Sequence, residues 1–262
     1  MRPNRSEPYI GITGFTTAGE INGVLDVLPR YTYRQVMVGV LVSSKTLRGI
    51  PNKWPQRYPK PEKLSQIFTA HRKALNLIHF NTKEPERLLD DMLLAQSMAG
   101  PNCHGFQLNI AWPDKGVLKQ YRDTKPEHAS QSGAVVLQVG SKALDECGRD
   151  PTKIAERVHE YEYLADFVLI DPSGGVGQEF DVDFTRQCFI ELESKTTYMG
   201  FGIAGGLHAG NLDRLAPLLE DFSFSIDAEG KLRNVEDNLD VEAAKAYLKS
   251  ADEKFRQYEV AV

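Results

Sequence analysis

The sequence contains little cysteine and no long hydrophobic run. Its three cysteines are far apart, and no two of them form a Cys-x-x-Cys pair: Cys103, Cys147 and Cys188. This argues against a disulfide framework and a cysteine-based zinc site, and it favours a reducing compartment. No apolar run approaches the roughly 18 residues of a membrane span, and the first residues lack the apolar core of a secretory signal. We therefore expect a cytoplasmic protein without a membrane partner.

The chain also lacks an excess of positive charge and the common catalytic and metal motifs. Its formal net charge is −5, which provides no basic surface for nucleic acid. No His-Glu-x-x-His, Gly-x-Ser-x-Gly, Walker A or EF-hand pattern is present, and the histidines have no ligand-like spacing. One of them, His79, lies in a strand-like segment and is interpreted as a core or rim residue. We expect no metal, no cofactor and no nucleic-acid partner.

Apolar, strand-like segments recur along the chain and alternate with segments of helical periodicity. Several are apolar nearly throughout, as strands buried on both faces of a parallel sheet are. They are Tyr9–Phe15, Gln35–Ser43, Ala74–Phe80, Gly105–Ala111, Gly133–Gly140, Asp166–Asp171, Thr197–Ala204 and Asp221–Asp227. Strands that alternate with helices indicate a parallel sheet with right-handed crossovers. The sequence therefore predicts a single-domain α/β fold over residues 1–262, a (β/α)8 TIM barrel, with an open doubly wound sheet as the alternative.

One predicted connection is much longer than the usual loop. The segment Ser43–Lys63 follows the second strand and contains four prolines, two aromatic residues and many cations. In a barrel it would lie at the carboxyl ends of the strands, where TIM-barrel active sites are found. The sequence leaves two interpretations equal, an extended surface loop and a lid or substrate-binding loop.

Polar residues and glycines follow the last three predicted strands. Asp171 ends the sixth strand and precedes a glycine-rich turn, so it is either a helix cap or a catalytic acid. Gly205 and Gly206 stand between the seventh strand and the next helix, where backbone N–H groups and a helix N-terminus favour phosphate. Ser223 and Ser225 could donate to the same phosphate. That interpretation requires Asp227 to face outward or to pair with a cation.

These motifs, in this order, resemble those of phosphoribosylanthranilate isomerase, a family of (β/α)8 enzymes in tryptophan biosynthesis. The most specific matches are "VLIDPSGGVGQEFDV" after the sixth strand and "AGGLHAGNL" after the seventh. Looser matches are "GITGFT", "QLNI" and "DFSFSIDAEGK" in the first, fourth and eighth strands. The resemblance spans nearly the whole chain, and it implies the barrel fold and an acid–base isomerisation of a phosphoribosyl compound.

The resemblance also implies roles for individual residues. Asp171 corresponds to the general acid that acts on the ribose ring oxygen. Thr13 stands where the family has the general-base cysteine, which takes the sugar C2 proton in an Amadori rearrangement. Lys45 corresponds to the basic residue that faces the substrate carboxylate. The candidate binding residues are Gln107, Asn109, Gly174, Gly175, Gly205, Gly206, Ser223 and Ser225.

Thr13 is the main departure from the family pattern. A threonine hydroxyl has a pKa far above that of a thiol, and nothing in the sequence activates it. Glu20 and Asp181 are remote candidates for the missing base.

Three functional hypotheses follow from these residues. The first is an isomerase-like barrel that acts on a phosphorylated sugar or a phosphoribosyl conjugate. The second is a Schiff-base aldolase or lyase that uses Lys142, although this lysine also suits the exposed start of a helix. The third is a barrel that binds a phosphorylated metabolite without turning it over. The expected partner is a small phosphorylated molecule, and the sequence leaves the oligomeric state open, a homo-oligomer included.

Overall fold

Eight parallel strands close into a barrel in the order of the chain. The computed structural model describes residues 5–29, 32, 34–124, 133–173 and 180–259. The barrel closes where the first strand pairs with the last, with Ile10 beside Ile226. The predicted single-domain (β/α)8 barrel is therefore confirmed, and the open sheet is excluded.

The strands are short and are followed by helices of unequal length. The strands are β1 (Tyr9–Thr13), β2 (Gln35–Ser43), β3 (Ala74–Asn81), β4 (Gly105–Leu108), β5 (Ala134–Gly140), β6 (Phe167–Asp171), β7 (Gly200–Ala204) and β8 (Ser225–Ala228). The helices are α1 (Ala18–Leu25), α2 (Ser44–Leu47), α3 (Leu64–Ile67), α4 (Leu88–Ala99), α5 (Lys115–Asp123), α6 (Ser141–Glu146), α7 (Pro151–His159), α8 (Val182–Lys195), α9 (Ala216–Leu219) and α10 (Val241–Glu259). Across the described residues, no helix is both long and apolar enough to cross a membrane.

Side chains alternate along the strands between two separate cores, because the side-chain period of a strand is two. The larger core lies between the barrel and the helices. A smaller core fills the amino-terminal part of the barrel interior and consists of Tyr9, Met37, Leu75, Leu77, Val136, Phe167, Leu169 and Ala204. Further along the inward-facing positions of the same strands come polar side chains, so polarity rises toward the carboxyl end of the barrel.

Two helix N-termini use the carboxylates that were remote candidates for the base. The Glu20 carboxylate accepts hydrogen bonds from the backbone N–H groups of Thr16 and Thr17 at 2.7 and 3.0 Å, which completes a capping box at α1. Asp181 caps α8 by accepting the Phe184 N–H at 3.0 Å. Both carboxylates therefore have structural partners, and neither lines the cavity described below.

The segment Ser43–Lys63 is partly helical and is tied to the loop that follows β8. It contains α2 and two short 3-10 turns, at Pro55–Arg57 and Pro61–Lys63. From the first turn, the Arg57 guanidinium donates to Asp237 Oδ2 at 2.8 Å and to Glu229 Oε1 at 3.1 Å. These ion pairs tie the segment after β2 to the loop after β8.

The last strand begins four residues later than the sequence predicts. The alternation in "FSFS" imitates a strand, but Phe222 and Phe224 instead pack under Phe189 in the outer core. Ser225 therefore stands at the amino end of β8, where its hydroxyl accepts the Tyr9 N–H at 3.0 Å. Ser223 precedes the strand and is exposed. The prediction that both serines lie beside a phosphate at the carboxyl end of the eighth strand is therefore wrong.

Candidate active site

A cavity opens at the carboxyl end of the barrel. It is lined by His79, Gln107, Gln138, Asp171, Ser173, Ala204, Gly205, Gly206, Leu207, Asp227, Ala228, Glu229, Gly230 and Lys231. These residues come from strands β3 to β8 and from the loops after β6, β7 and β8. The position agrees with the place where TIM barrels carry their active sites.

Asp171 lies in this cavity at the end of β6 and is 5% exposed. Its Oδ1 accepts the backbone N–H of Ser173 at 3.0 Å and the Ser173 hydroxyl at 2.5 Å. Its Oδ2 accepts Gln138 Nε2 at 2.7 Å. A carboxylate has about four lone-pair sites. These three bonds therefore hold the group in one orientation and leave a site on Oδ2 for a proton or a ligand.

Asp227 is a second buried carboxyl in the same cavity, on β8. Gln107 Nε2 donates to its Oδ2 at 2.9 Å, and the Thr13 hydroxyl lies 3.3 Å from both of its oxygens. The pKa of the Asp227 carboxyl is raised to about 7, chiefly by burial and also by the neighbouring Glu229 and Asp171 carboxylates, against the lowering effect of its hydrogen bonds. A group with this pKa exchanges a proton readily at neutral pH.

The orientation of Asp227 corrects the sequence interpretation, which needed this side chain to face outward or to pair with a cation. Ile226 belongs to the outer core, and Asp227, one residue later, points into the barrel. Gly11 leaves room for it, because a Cβ at position 11 would lie 2.8 Å from Asp227 Oδ1. The hydrogen bonds to Asp227 come from an amide and a hydroxyl.

Two glutamines connect the two carboxyl groups. Gln138 donates to Asp171, and its Oε1 accepts Gln107 Nε2 at 3.2 Å. Gln107 in turn donates to Asp227. The chain of hydrogen bonds thus runs from β6 through β5 and β4 to β8, and it holds both carboxyl groups in a fixed relation across the barrel.

His79 on β3 also belongs to this network. Its Nε2 lies 3.0 Å from Gln138 Oε1. Burial lowers the pKa of the His79 imidazole, so the ring is neutral at neutral pH. The sequence interpretation of His79 as a core or rim residue did not anticipate its position in the cavity, because one histidine within an apolar strand carries no signal of its own.

The loops after β7 and β8 form the other wall of the cavity. Gly205 and Gly206 have φ angles of 131° and 61°, a region that L side chains avoid. Opposite them stand Gly230 and the exposed Lys231. The nearby Glu229 carboxylate pairs with Arg57 and with Arg233, at 3.1 and 3.2 Å, so its charge is compensated.

Several sequence-predicted site residues lie away from the cavity lining. Lys45 is exposed in the first turn of α2, and Asn109 follows the end of β4, where its N–H donates to Phe80 O at 2.9 Å. Thr13 is fully buried behind Asp227. Gly174 and Gly175 fall outside the described residues.

The amine of Lys142 lies in an environment that does not suit Schiff-base chemistry. Its side chain is 82% exposed on α6 and lies 3.9 Å from Glu146. A Schiff-base lysine is normally activated by desolvation or by a second cation, and neither surrounds this amine.

Comparison with known proteins identifies the fold. No family model matches the sequence, and no curated protein matches it. Solved structures do match. The phosphoribosyl anthranilate isomerase from Thermus thermophilus aligns with 94% of this chain and 99% of its own, at 13% identity and a TM-score of 0.64. N-(5'-phosphoribosyl)anthranilate isomerase from Pyrococcus furiosus aligns with 94% and 100%, at 13% identity and a TM-score of 0.61.

A third similar structure contains a ligand. It is a phosphoribosyl anthranilate isomerase in complex with reduced 1-(o-carboxyphenylamino)-1-deoxyribulose 5-phosphate, with 16% identity, a TM-score of 0.59 and coverage of 94% and 99%. At these identities the likeness shows the fold. The resemblance inferred from the sequence motifs is thus confirmed at that level, as a diverged barrel similar to these isomerases.

Proposed function

We propose that this protein is an acid–base isomerase of a phosphorylated sugar or phosphoribosyl conjugate, with Asp171 and Asp227 as its catalytic residues. One observation carries the proposal: two buried carboxyl groups line one cavity at the carboxyl end of the barrel and are joined through Gln107 and Gln138. Acid–base isomerisation needs two such groups that act on different atoms of one substrate.

Asp171 is proposed as the acid. It gives its proton to the sugar ring oxygen, the bond between this oxygen and C1 breaks, and the lone pair of the nitrogen on C1 forms an iminium. A base then removes the proton on C2, and the electron pair of that C–H bond neutralises the iminium and gives an enol. The enol hydroxyl then returns a proton to Asp171, and the protonated base gives its proton to C1, which yields the ketone and restores both groups. The substrate is isomerised with no net gain or loss of protons.

Asp227 is proposed as the base that the sequence does not reveal. It lies 3.3 Å from the hydroxyl of Thr13, the residue at the position of the family's cysteine. Its pKa of about 7 leaves a large fraction ionised at neutral pH, as a general base requires. The chemistry of a thiolate on β1 would thus be performed by the neighbouring carboxylate on β8, which lines the cavity.

The phosphate is proposed to bind between the loops after β7 and β8. Gly205, Gly206 and Gly230 allow close approach of a ligand to the backbone, and Lys231 supplies positive charge. Sequence reasoning had assigned this role partly to serines, which lie at the other end of β8. The 5-phosphate in the ligand of the similar isomerase supports a phosphate in the substrate class.

The test measures turnover of N-(5'-phosphoribosyl)anthranilate by the loss of its fluorescence. Asp171→Asn and Asp227→Asn should each lower kcat by about 100- to 10,000-fold. In the unmodified protein, kcat/KM should rise with pH up to about 7, because the base works only when it is ionised. Asp90→Asn, on the exposed face of α4, serves as the control and should retain full activity.

Two results would count against the proposal. Full turnover in Asp227→Asn would remove Asp227 from the chemistry. Tight binding of phosphorylated sugars without turnover, in folded protein and across a set of phosphoribosyl conjugates, would favour the barrel that binds a metabolite without converting it.

A further inference from the structure

Two residues at the floor of the cavity, His79 and Gln107, each have a buried hydrogen-bond acceptor that lacks a partner. Among the buried side-chain atoms without one in the described part of the chain, His79 Nδ1 and Gln107 Oε1 belong to residues that line the cavity. These residues are only 6% and 1% exposed. Because an unpaired buried acceptor is costly, such a pair in a cavity indicates where a ligand supplies the missing donors.

The hydrogen-bond network fixes which atom of His79 is the acceptor. Gln138 must turn its amide nitrogen toward the Asp171 carboxylate, 2.7 Å away, so its oxygen faces His79. An oxygen at 3.0 Å from Nε2 requires a proton on that nitrogen. Because the ring is neutral, Nδ1 then carries a free lone pair.

The same reasoning fixes Gln107. Its amide nitrogen lies 2.9 Å from Asp227 Oδ2 and 3.2 Å from Gln138 Oε1. Two oxygen neighbours on that side place the nitrogen there, so both of its protons are used. The remaining atom, Oε1, can only accept.

We propose that this floor is a subsite for the hydroxyl groups of the substrate, in which His79 Nδ1 and Gln107 Oε1 each accept a hydrogen bond from a sugar hydroxyl. Gln138 is the positioning residue that sets both acceptors. This inference rests on the proposed function and deepens it, because it fixes the orientation of the ligand. Two carboxyl groups and two acceptors repel a phosphate, so the hydroxyl end enters the floor and the phosphate stays near Gly205 and Lys231.

The binding test compares ribose 5-phosphate with 2,3-dideoxyribose 5-phosphate by titration calorimetry, which needs no turnover. The unmodified protein should bind ribose 5-phosphate about 10- to 100-fold more tightly, because the dideoxy compound leaves both acceptors unpaired. In His79→Gln, the new amide still reaches Gln138 but offers no acceptor at the Nδ1 position. This preference should then fall about tenfold, with little change in affinity for the dideoxy compound.

The control is the same substitution at His159, an exposed histidine on α7, which should leave the preference unchanged. Circular dichroism and thermal melting establish that each variant is folded. An additional readout addresses Gln138 itself. Two-bond ¹H–¹⁵N correlations should show His79 as the Nε2–H tautomer, and Gln138→Leu should convert it into a mixture of tautomers.

The possible results separate this inference from the proposed function. Equal binding of the two sugar phosphates, or an unchanged preference in His79→Gln, would overturn the hydroxyl subsite and leave the phosphate site standing. Failure of both compounds to bind to folded protein would overturn the phosphate site, and the subsite would fall with it.

Discussion

The buried Asp227 carboxyl lowers the stability of the folded protein at neutral pH, and its proposed role as a base accounts for its presence. An aspartyl carboxyl ordinarily ionises near 3.8, and burial in this cavity raises its pKa to about 7. Between these pH values the unfolded chain loses its proton while the folded protein keeps it. This difference in ionisation opposes folding by about 1.4 kcal/mol for each unit of pKa, which amounts to roughly 4 to 5 kcal/mol above pH 7.

The direction in which folding stability depends on pH gives a prediction for Asp227→Asn. Because the folded state binds more protons than the unfolded state between about pH 4 and pH 7, the Asp227 contribution to stability falls as pH rises through that range. The asparagine variant lacks this penalty. Compared with the unmodified protein, its free energy of unfolding should rise by a few kcal/mol from pH 4 to pH 8, as measured by urea denaturation at several pH values.

The control for this prediction is Asp90→Asn, which changes an exposed carboxylate on α4 and should show no such pH-dependent difference. A constant difference between Asp227→Asn and the unmodified protein over the whole range would show that the carboxyl titrates normally. Higher stability together with lost turnover would separate the catalytic role of Asp227 from any role in folding.

At the scale of single elements, hydrophobic periodicity predicts the strands well and their polar ends less well. The predicted sixth strand ends at Asp171, as the observed strand does. The predicted eighth strand begins four residues too early. Alternation of apolar and polar residues alone cannot distinguish a strand from the extended segment that leads into it. That error moved Ser225 from one end of β8 to the other, while Asp227 was already on the correct strand.

The loop after β2 provides a second element whose behaviour can be tested. Arg57 donates to both Asp237 oxygens, from Nε to Oδ2 and from Nη2 to Oδ1, each at 2.8 Å, and it also lies 4.8 Å from the Trp54 ring. The hydrogen bonds from Arg57 lower the pKa of the Asp237 carboxyl, so the pair is fully charged at neutral pH. An ion pair with two parallel hydrogen bonds in a partly buried position stabilises a contact more than an exposed ion pair does.

We therefore expect Arg57→Lys to loosen the segment Ser43–Lys63 without unfolding the barrel, because lysine cannot reproduce the planar two-bond contact. Hydrogen exchange measured by mass spectrometry should become faster in that segment and in the loop around Glu229. The exposed pair between Arg149 and Asp145, on the α6 side, supplies the control, and Arg149→Lys should leave the exchange of Ser43–Lys63 unchanged. Unaltered exchange in Arg57→Lys would show that other contacts hold the segment.

At the scale of the whole molecule, the order of the strands follows from the sequence, but the polar network does not. Gln107 and Asp227 are 120 positions apart, and Gln107 and Gln138 are 31 apart. Their contact depends on the register of β4, β5 and β8 within a closed barrel. Periodicity predicts whether each side chain points into or out of the barrel. The register between strands decides which inward-pointing residues lie at the same height along the barrel axis. The pairing of carboxyl groups and amides therefore required the structure.

The closure of the barrel also governs how it should unfold. Because β1 pairs with β8, every strand has two neighbours, and α10 covers the junction by packing against α1 and β1. In this helix, Phe255 is 1% exposed, meets Phe224 edge to face at 6.2 Å and lies 3.5 Å beneath the Arg34 guanidinium. Removing its ring creates a cavity at the junction, and such changes typically cost about 3–5 kcal/mol.

If the closed barrel unfolds as one cooperative unit, Phe255→Ala should destabilise the distant side as much as the junction. Trp112, on the loop after β4, packs against Tyr161 at 6.0 Å and reports on that distant side. In a Trp54→Phe background it is the only remaining tryptophan. Its fluorescence and the far-ultraviolet circular dichroism should then shift to the same lower urea midpoint, whereas the exposed control Lys249→Ala should leave both unchanged. A Trp112 transition that stays in place while circular dichroism shifts would mean that the barrel opens at the β1–β8 junction before the rest unfolds.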